Sequence, residues 1–380
     1  MNKNLRNDIG NAFSDTTYAY VNHHVSEDVI CVRTDEWDLA GDVWHMEKLA
    51  HRLIEATEPP FTLKINKLTK RPNIHPNKLG KQILLALKTD ITALRGHYAM
   101  HAFNPYVDEF IKLASEHNLF GLPYAMTTLG DDEVIERLEA LNLFVAEFQA
   151  MGTSTEFQTI INDFARSPNK NKRELCKLID RHFEDTSRML VLRVDFGYKK
   201  APGWPCVTDN SISYEEAKAH RKALNKYLKK AFPPKSFQTW ACKMEYGLDK
   251  KWHFHVLLLL NGSLVREDVT IARMIGEHWN SEITEGKGLY WNCNAFKDTY
   301  KSCGIGMISH DDVAGREGLE KAVVYMTKPD YYAKLLVPGN DRTFWKGNMP
   351  KPKSEGSGRP RTKGMSKVKS QDKIDGVQRH

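Results

Sequence analysis

The chain has 380 residues, of which 41% are hydrophobic and 27% charged, and its formal net charge is +7. That length and apolar share can bury a substantial core and point to two domains rather than one. No apolar stretch approaches the ~20 residues needed to cross a bilayer, and no Gly-x-x-x-x-Gly-Lys-Ser/Thr phosphate loop is present, so neither a membrane-spanning helix nor helicase or ATPase chemistry is expected.

Positive charge is concentrated at one end. From Lys346 to His380 there are ten Lys or Arg against three Asp or Glu, so this tail alone matches the net charge of the chain. It is rich in Gly, Pro and Ser and poor in large apolar residues, which predicts a disordered basic segment over 348–380. Such a segment can hold phosphate backbones without sequence preference. Six cysteines, Cys31, Cys176, Cys206, Cys242, Cys293 and Cys303, form no Cys-x-x-Cys pair and follow no secretory leader. Reduced thiols in a cytoplasmic protein are expected.

In chain order, residues 1–42 are polar and mixed, without a strong period. Residues 43–168 read as a mainly helical domain; Asp132 to Phe148, acidic at its start and apolar at three- and four-residue spacing, is its clearest helix. Ser167-Pro-Asn-Lys-Asn-Lys172 has turn composition and marks a boundary, after which 169–347 form a second domain. There, Met189 to Phe196 reads as a strand, and Ser213 with Glu216 has capping-box spacing at a helix start, with Ser211 a competing cap. Two strand-like runs, Thr239 to Tyr246 and Lys251 to Leu260, flank a turn-rich link and predict a hairpin. A helix near Val269 to Ile283, an edge strand near Leu289 to Asn294 and a helix from Gly315 to Pro329 complete the pattern. The expected class is α+β, a central antiparallel sheet with helices on one face and the active site on the other.

The hairpin carries the chemistry. His253 and His255 are two apart on a strand, so both imidazoles project to one face and Phe254 to the other. Two neighbouring imidazoles would repel if charged, whereas a divalent metal satisfies both in their neutral form. Pairing of the strands can bring Glu245 to the histidines, giving a mixed nitrogen and oxygen set suited to Mn²⁺ or Mg²⁺; otherwise Glu245 sits on a solvated strand face. On the last helix, Tyr325 and Lys328 are three apart and share a face, and Pro329 should end the helix there. Alone, Tyr325 would be a packing residue; beside a metal it can be a nucleophile.

In this order, Glu245, His253-Phe-His255 and Tyr325-Met-Thr-Lys328 resemble the metal and nucleophile motifs of the HUH endonucleases, the superfamily of rolling-circle initiators and relaxases. More narrowly, 172–347 is similar to the inovirus gene-2-like replication proteins, the YagK/YfjJ carboxy-terminal domain family. The supporting phrases are Leu192-Arg-Val-Asp-Phe-Gly, Gly288-Leu-Tyr-Trp-Asn-Cys-Asn294, Glu317-Gly-Leu-Glu-Lys-Ala-Val-Val-Tyr325 and Arg342-Thr-Phe-Trp. The resemblance implies that His253, His255 and Glu245 bind the metal, that Tyr325 is the nucleophile, and that Lys328 stabilises the phenolate or the phosphate. Asp195 stands where many initiators carry a Thr-rich motif and is left with the role of orienting a neighbour. Tyr331 and Tyr332 are packing or DNA-contact residues.

The implied activity is metal-dependent nicking and joining of single-stranded DNA through a 5′-phosphotyrosine link, starting rolling-circle replication of a phage, prophage or related element. Its partners would be single-stranded or origin DNA and a host helicase or replication protein, with no membrane. Residues before about 170 would recognise origin DNA, bind a host partner or shield the sheet. Two rivals are a DNA-binding regulator that has lost nicking and a mononuclear iron oxygenase. The oxygenase's usual ligand order places the acid beside the first histidine and the second histidine far away, unlike this chain.

Overall fold

The computed structural model describes residues 18–22, 29–33, 36–199, 212–247, 250–300 and 302–350. The expected disordered tail from 351 onward lies outside the described residues, as do Cys206 and Ser211.

The amino-terminal part opens with an antiparallel pair, β1 (Tyr18–Asn22) and β2 (Val29–Arg33), and then α1 (Glu36–Ile54). A second antiparallel pair follows, β3 (Phe61–Ile65) and β4 (Pro72–Pro76), then α2 (Lys78–Ala86) and α3 (Ile91–His97). Next come β5 (His101–Phe103), α4 (Pro105–Glu116), the short α5 (Leu122–Ala125), and the two longest helices, α6 (Asp131–Thr153) and α7 (Thr155–Asp185). The helix expected from Asp132 is α6, with Asp131, Asp132 and Glu133 in its first turn and the Glu133 carboxylate accepting from the Gly130 N–H at 2.7 Å.

The expected break at 167–172 is instead the interior of α7, with Pro168 inside the helix and buried. A proline removes one backbone hydrogen bond, but packing at both ends of this helix outweighs that loss. Phe157 near one end joins the core built on α1, α4 and α6, while Leu175, Leu178, Ile179 and Phe183 near the other join a core under the sheet. One helix therefore ties the two parts together. The first core also contains Val324, Tyr331, Tyr332 and Ala333 from far down the chain.

The carboxy-terminal part comprises β6 (Arg188–Tyr198), α8 (Tyr214–Leu228), β7 (Phe237–Gly247), β8 (Lys251–Asn261), α9 (Asp268–His278), β9 (Gly288–Asn292), β10 (Gly306–Ser309), α10 (Val313–Thr327), β11 (Ala333–Leu335) and β12 (Phe344–Lys346). Six strands form one antiparallel sheet in the order β10-β6-β8-β7-β12, with β9 pairing the other end of the same β6 edge that β10 occupies. The capping box falls on Ser213, whose hydroxyl accepts from the Glu216 N–H while Glu216 accepts from the Ser213 N–H. Short β11 pairs with β5, so the amino-terminal part is also joined through a strand.

Helices cover both faces of the sheet, not one as expected. On one face Leu192, Val194, Phe254, Val256 and Leu258 pack against Leu224 of α8 and Ile275 and Trp279 at and beyond α9. On the other, Val191, Ala241, Leu257 and Leu259 pack against α7 and against Leu319, Val323 and Met326 of α10. The reason is visible in Val256-Leu-Leu-Leu-Leu260, which is fully or almost fully buried: a strand apolar at consecutive positions must be covered twice. Each such side chain contributes roughly 1.5–3 kcal/mol by leaving water. α10 presses closely on its neighbour at Gly318, where a Cβ would meet the Cys303 carbonyl oxygen at 2.3 Å; the position needs glycine.

Candidate metal centre

The hairpin turns so that Glu245 lies opposite His253 and Lys243 opposite His255, while Asp195 of β6 lies on the other side of His255. Alternation then places Asp195, Lys243, Glu245, His253 and His255 on one face, the face that also carries Leu257 and Leu259 and is covered by α7 and α10. All five are buried.

The His253 Nδ1 is 2.9 Å from the Lys251 carbonyl oxygen, which can only accept, so the proton belongs on Nδ1 and the Nε2 lone pair is free. The His255 Nδ1 is 2.8 Å from Asp195 Oδ1, and its Nε2 also faces inward. Both Nε2 atoms approach Glu245 Oε2, at 3.4 Å for His253 and 3.3 Å for His255. The three ligand atoms lie within 4.8 Å of one another. Asp195 thus takes the place an outer carboxylate holds behind a metal-bound histidine.

The His255 Nδ1–Asp195 Oδ1 contact, though short, is an ion pair without hydrogen-bond alignment, and Glu245 Oε1 and His253 Nε2 are buried and make no hydrogen bond among the described residues. Burying such atoms unpaired costs about 1–3 kcal/mol each, and a cation among them would satisfy both. Two imidazole nitrogens and one carboxylate fit a divalent ion and leave coordination positions for other ligands.

Electrostatics match. Burial alone would raise the Glu245 carboxyl, but His255 and His253 outweigh it and hold it well below the usual carboxylate range. Burial opposes charge on His255, yet Asp195 and Glu245 raise its imidazole to about 9. Burial pushes His253 down against the pull of Glu245. At neutral pH the His255 proton therefore competes with a cation for the same electron pair. Mn²⁺ affinity is expected to rise by up to roughly tenfold per pH unit between neutrality and about 9, and then level off. A calorimetric titration at several pH values checks this; an affinity independent of pH in that window contradicts it.

A buried ion pair fixes the next segment over this face. The Lys243 ammonium donates to both Asp330 carboxylate oxygens, at 2.6 and 2.7 Å, and to Thr343 Oγ1 at 3.2 Å. Asp330 follows Tyr325 by five residues, so the pair pins the chain just beyond the tyrosine helix beside the cross-strand neighbour of His255. Asp330→Ala would leave an ammonium buried without its counter-charge and should destabilise the fold by about 3–5 kcal/mol, whereas Lys243→Met with Asp330→Leu should cost much less. Chemical denaturation of both variants decides this, and equal losses would contradict it.

Tyr325 is half-buried on α10, which ends at Thr327 with Lys328 as its cap and Pro329 starting a 3₁₀ turn, as expected. The stripe Leu319, Val323 and Met326 faces the sheet, so Tyr325 lies on the flank of a helix packed on the histidine side. Lys328 is buried and its ammonium donates to Asn169 Oδ1 on α7. Tyr332 is fully buried, and Tyr331 donates its hydroxyl to Glu47 Oε1 at 3.0 Å, so both are packing residues rather than platforms for bases.

A cleft opens on the metal group, lined by Glu245, His253, Pro329 and Asp330 together with Tyr98, His101 and Ala333. Tyr325 and Lys328 are not in its lining. His101 carries an unpartnered, buried Nδ1, and burial lowers its pKa to about 4 against the pull of Glu245, so it is a neutral imidazole. No sequence pattern links it, or Tyr98, to the hairpin; β5 delivers them by pairing with β11.

These features define an α+β protein whose six-stranded antiparallel sheet carries a buried two-histidine, one-glutamate group able to hold a divalent ion. No helix among the described residues is long and apolar enough to cross a membrane. Comparison of the chain with protein-family models, with curated proteins and with solved structures gave no significant match.

Proposed function

We propose that the protein nicks and rejoins single-stranded DNA as an HUH-type transesterase, using Mn²⁺ or Mg²⁺ and a covalent 5′-phosphotyrosine intermediate, to initiate rolling-circle replication of a mobile element. The observation that carries this reading is the convergence of His253 Nε2, His255 Nε2 and Glu245 Oε2 on the sheet face covered by the helix bearing Tyr325. When bound, the ion withdraws electron density from a non-bridging phosphate oxygen and aligns the phosphate.

The residues do the rest. Lys251 and Asp195 hold the two imidazoles with their lone pairs inward. Tyr325, whose reference pKa is about 10, needs nearby positive charge to act as a phenolate, and Lys328 at the end of the same helix supplies a cation. The tyrosine oxygen bonds to phosphorus, the bond to the 3′ oxygen breaks, and that oxygen leaves as a hydroxyl after taking a proton. The phosphotyrosine keeps the bond energy for rejoining, so no nucleotide is consumed. Origin DNA is the proposed substrate, and a host helicase or replication protein the proposed partner, since no phosphate loop occurs in this chain. The setting would be the cytoplasm.

The experiment incubates the full chain with labelled single-stranded origin DNA and Mn²⁺, then looks on a denaturing gel for protein retarded by attached DNA. An adduct that chelator abolishes supports the reading. DNA binding with no adduct, unchanged by metal, supports instead a regulator that has lost nicking.

A further inference from the structure

One stretch outside the metal centre stands apart by charge. Residues 59–89 hold seven Lys or Arg and no Asp or Glu, in a chain whose totals are 55 and 48. The stretch forms the β3–β4 ribbon and α2, with Lys64, Lys67, Lys70 and Arg71 on the ribbon and Lys78 and Lys81 on the helix.

The ribbon has one anchored and one open face. Phe61 and Ile74 are buried in the first core, and Leu63 and Ile65 share their side. Thr62, Lys64, Asn73 and His75 point the other way and are all exposed. The tip is built rather than loose. Asn66 Oδ1 accepts from the Leu68 and Thr69 N–H groups at 2.9 and 3.1 Å, and the Asn66 carbonyl accepts from the Lys70 N–H at 2.9 Å. Lys70 takes a left-handed backbone (φ 59°), which the closed turn enforces on a non-glycine residue. Lys67, Leu68 and Lys70 are thereby presented outward, Leu68 at 92% exposure. Arg71 pairs with Asp131 at the start of α6 at 3.1 Å, both exposed, while Lys67 and Lys70 make no ion pair among the described residues.

We infer that this ribbon docks on duplex DNA. A two-stranded ribbon fits the major groove, ~12 Å wide, where lysines at the edges meet phosphates and polar side chains on the open face meet base edges. An anionic membrane is a poorer occupant: the open face is polar, and of the ribbon's exposed apolar side chains Leu63 and Ile65 lie on the opposite, anchored side, leaving Leu68 alone at the tip. The inference extends the nicking reading by assigning a separate surface to the double-stranded DNA beside the nick, and its test involves no cleavage.

The full chain is titrated with fluorescent duplex DNA in chelator at several salt concentrations, comparing wild type with Lys64→Gln, Lys67→Gln, Lys70→Gln combined. The triple variant should bind at least tenfold more weakly at low salt, with a log–log salt slope shallower by about two to three, since each phosphate contact contributes ~0.9. Lys→Arg at the same three positions should retain affinity, and Mn²⁺ binding should be unchanged in both. Equal affinity and slope in wild type and the glutamine variant overturn the inference. So does a loss confined to single-stranded DNA, or a loss confined to phosphatidylserine vesicles with duplex binding intact.

Discussion

His255→Ala is expected to lose Mn²⁺ binding and to weaken the metal-free fold at the same time. The first effect follows because His255 Nε2 is one of three converging ligand atoms. The second follows because the His255 cation lies between Asp195 and Glu245, both buried. Its removal takes away the cation between two buried carboxylates, leaving Asp195 with Arg193 Nε at 3.5 Å and Glu245 with His253 at 3.4 Å, at a cost of up to about 3–5 kcal/mol. Asp195→Asn separates the effects: the amide oxygen can still accept from Nδ1–H, but the negative charge that favours the imidazolium is gone and the amide NH2 can pair with the other tautomer, so the ring is held less firmly while its lone pair is kept. Metal affinity should then fall by about 10–100-fold, less than in His255→Ala. The two variants are compared by calorimetric Mn²⁺ titration and by thermal unfolding in chelator. Asp195→Asn binding Mn²⁺ as wild type does would show that the 2.8 Å contact orients nothing.

Tyr325→Phe should remove the covalent DNA adduct completely while leaving Mn²⁺ affinity close to wild type, because the half-buried ring is kept and no metal-ligating atom is lost. Tyr331→Phe should keep the adduct and lose about 1 kcal/mol of stability, the worth of its bond to Glu47. The cleft wall makes the comparison sharper. Tyr98 lines the opening on Glu245 and His253, and Tyr325 does not. An adduct that survives in Tyr325→Phe and vanishes in Tyr98→Phe would move the nucleophile to that wall, and peptide mapping of the adduct identifies the bonded residue directly.

What could be read from the sequence follows the range of the interactions concerned. The hairpin, its Glu245–His253 pairing and the Ser213 capping box are set by residues a few positions apart, and all three are present. The π-helical turn Trp279–Ile283 continues α9 to the end expected for that helix. Asp195 could be given no role from the sequence beyond that of orienting some neighbour, and only strand order reveals that it lies beside His255. Pro168 misled because turn composition is a local signal, overridden where the two ends of a 31-residue helix are packed in different cores. The second helical layer was in fact announced by Val256 to Leu260, an unbroken apolar run that no one-sided sheet could accommodate. Lys243 with Asp330, and His101 in the cleft, had no local signature at all, since each depends on segments brought together only by the complete fold.

The central claim is that Glu245, His253 and His255 hold one divalent ion. Crystals of the protein soaked in Mn²⁺, with anomalous scattering measured near the manganese edge, test it most directly. The account predicts one strong peak bonded to both Nε2 atoms and the Glu245 carboxylate. A structure in which Mn²⁺ occupies other sites, while these three side chains keep their present contacts and show no peak between them, would contradict it.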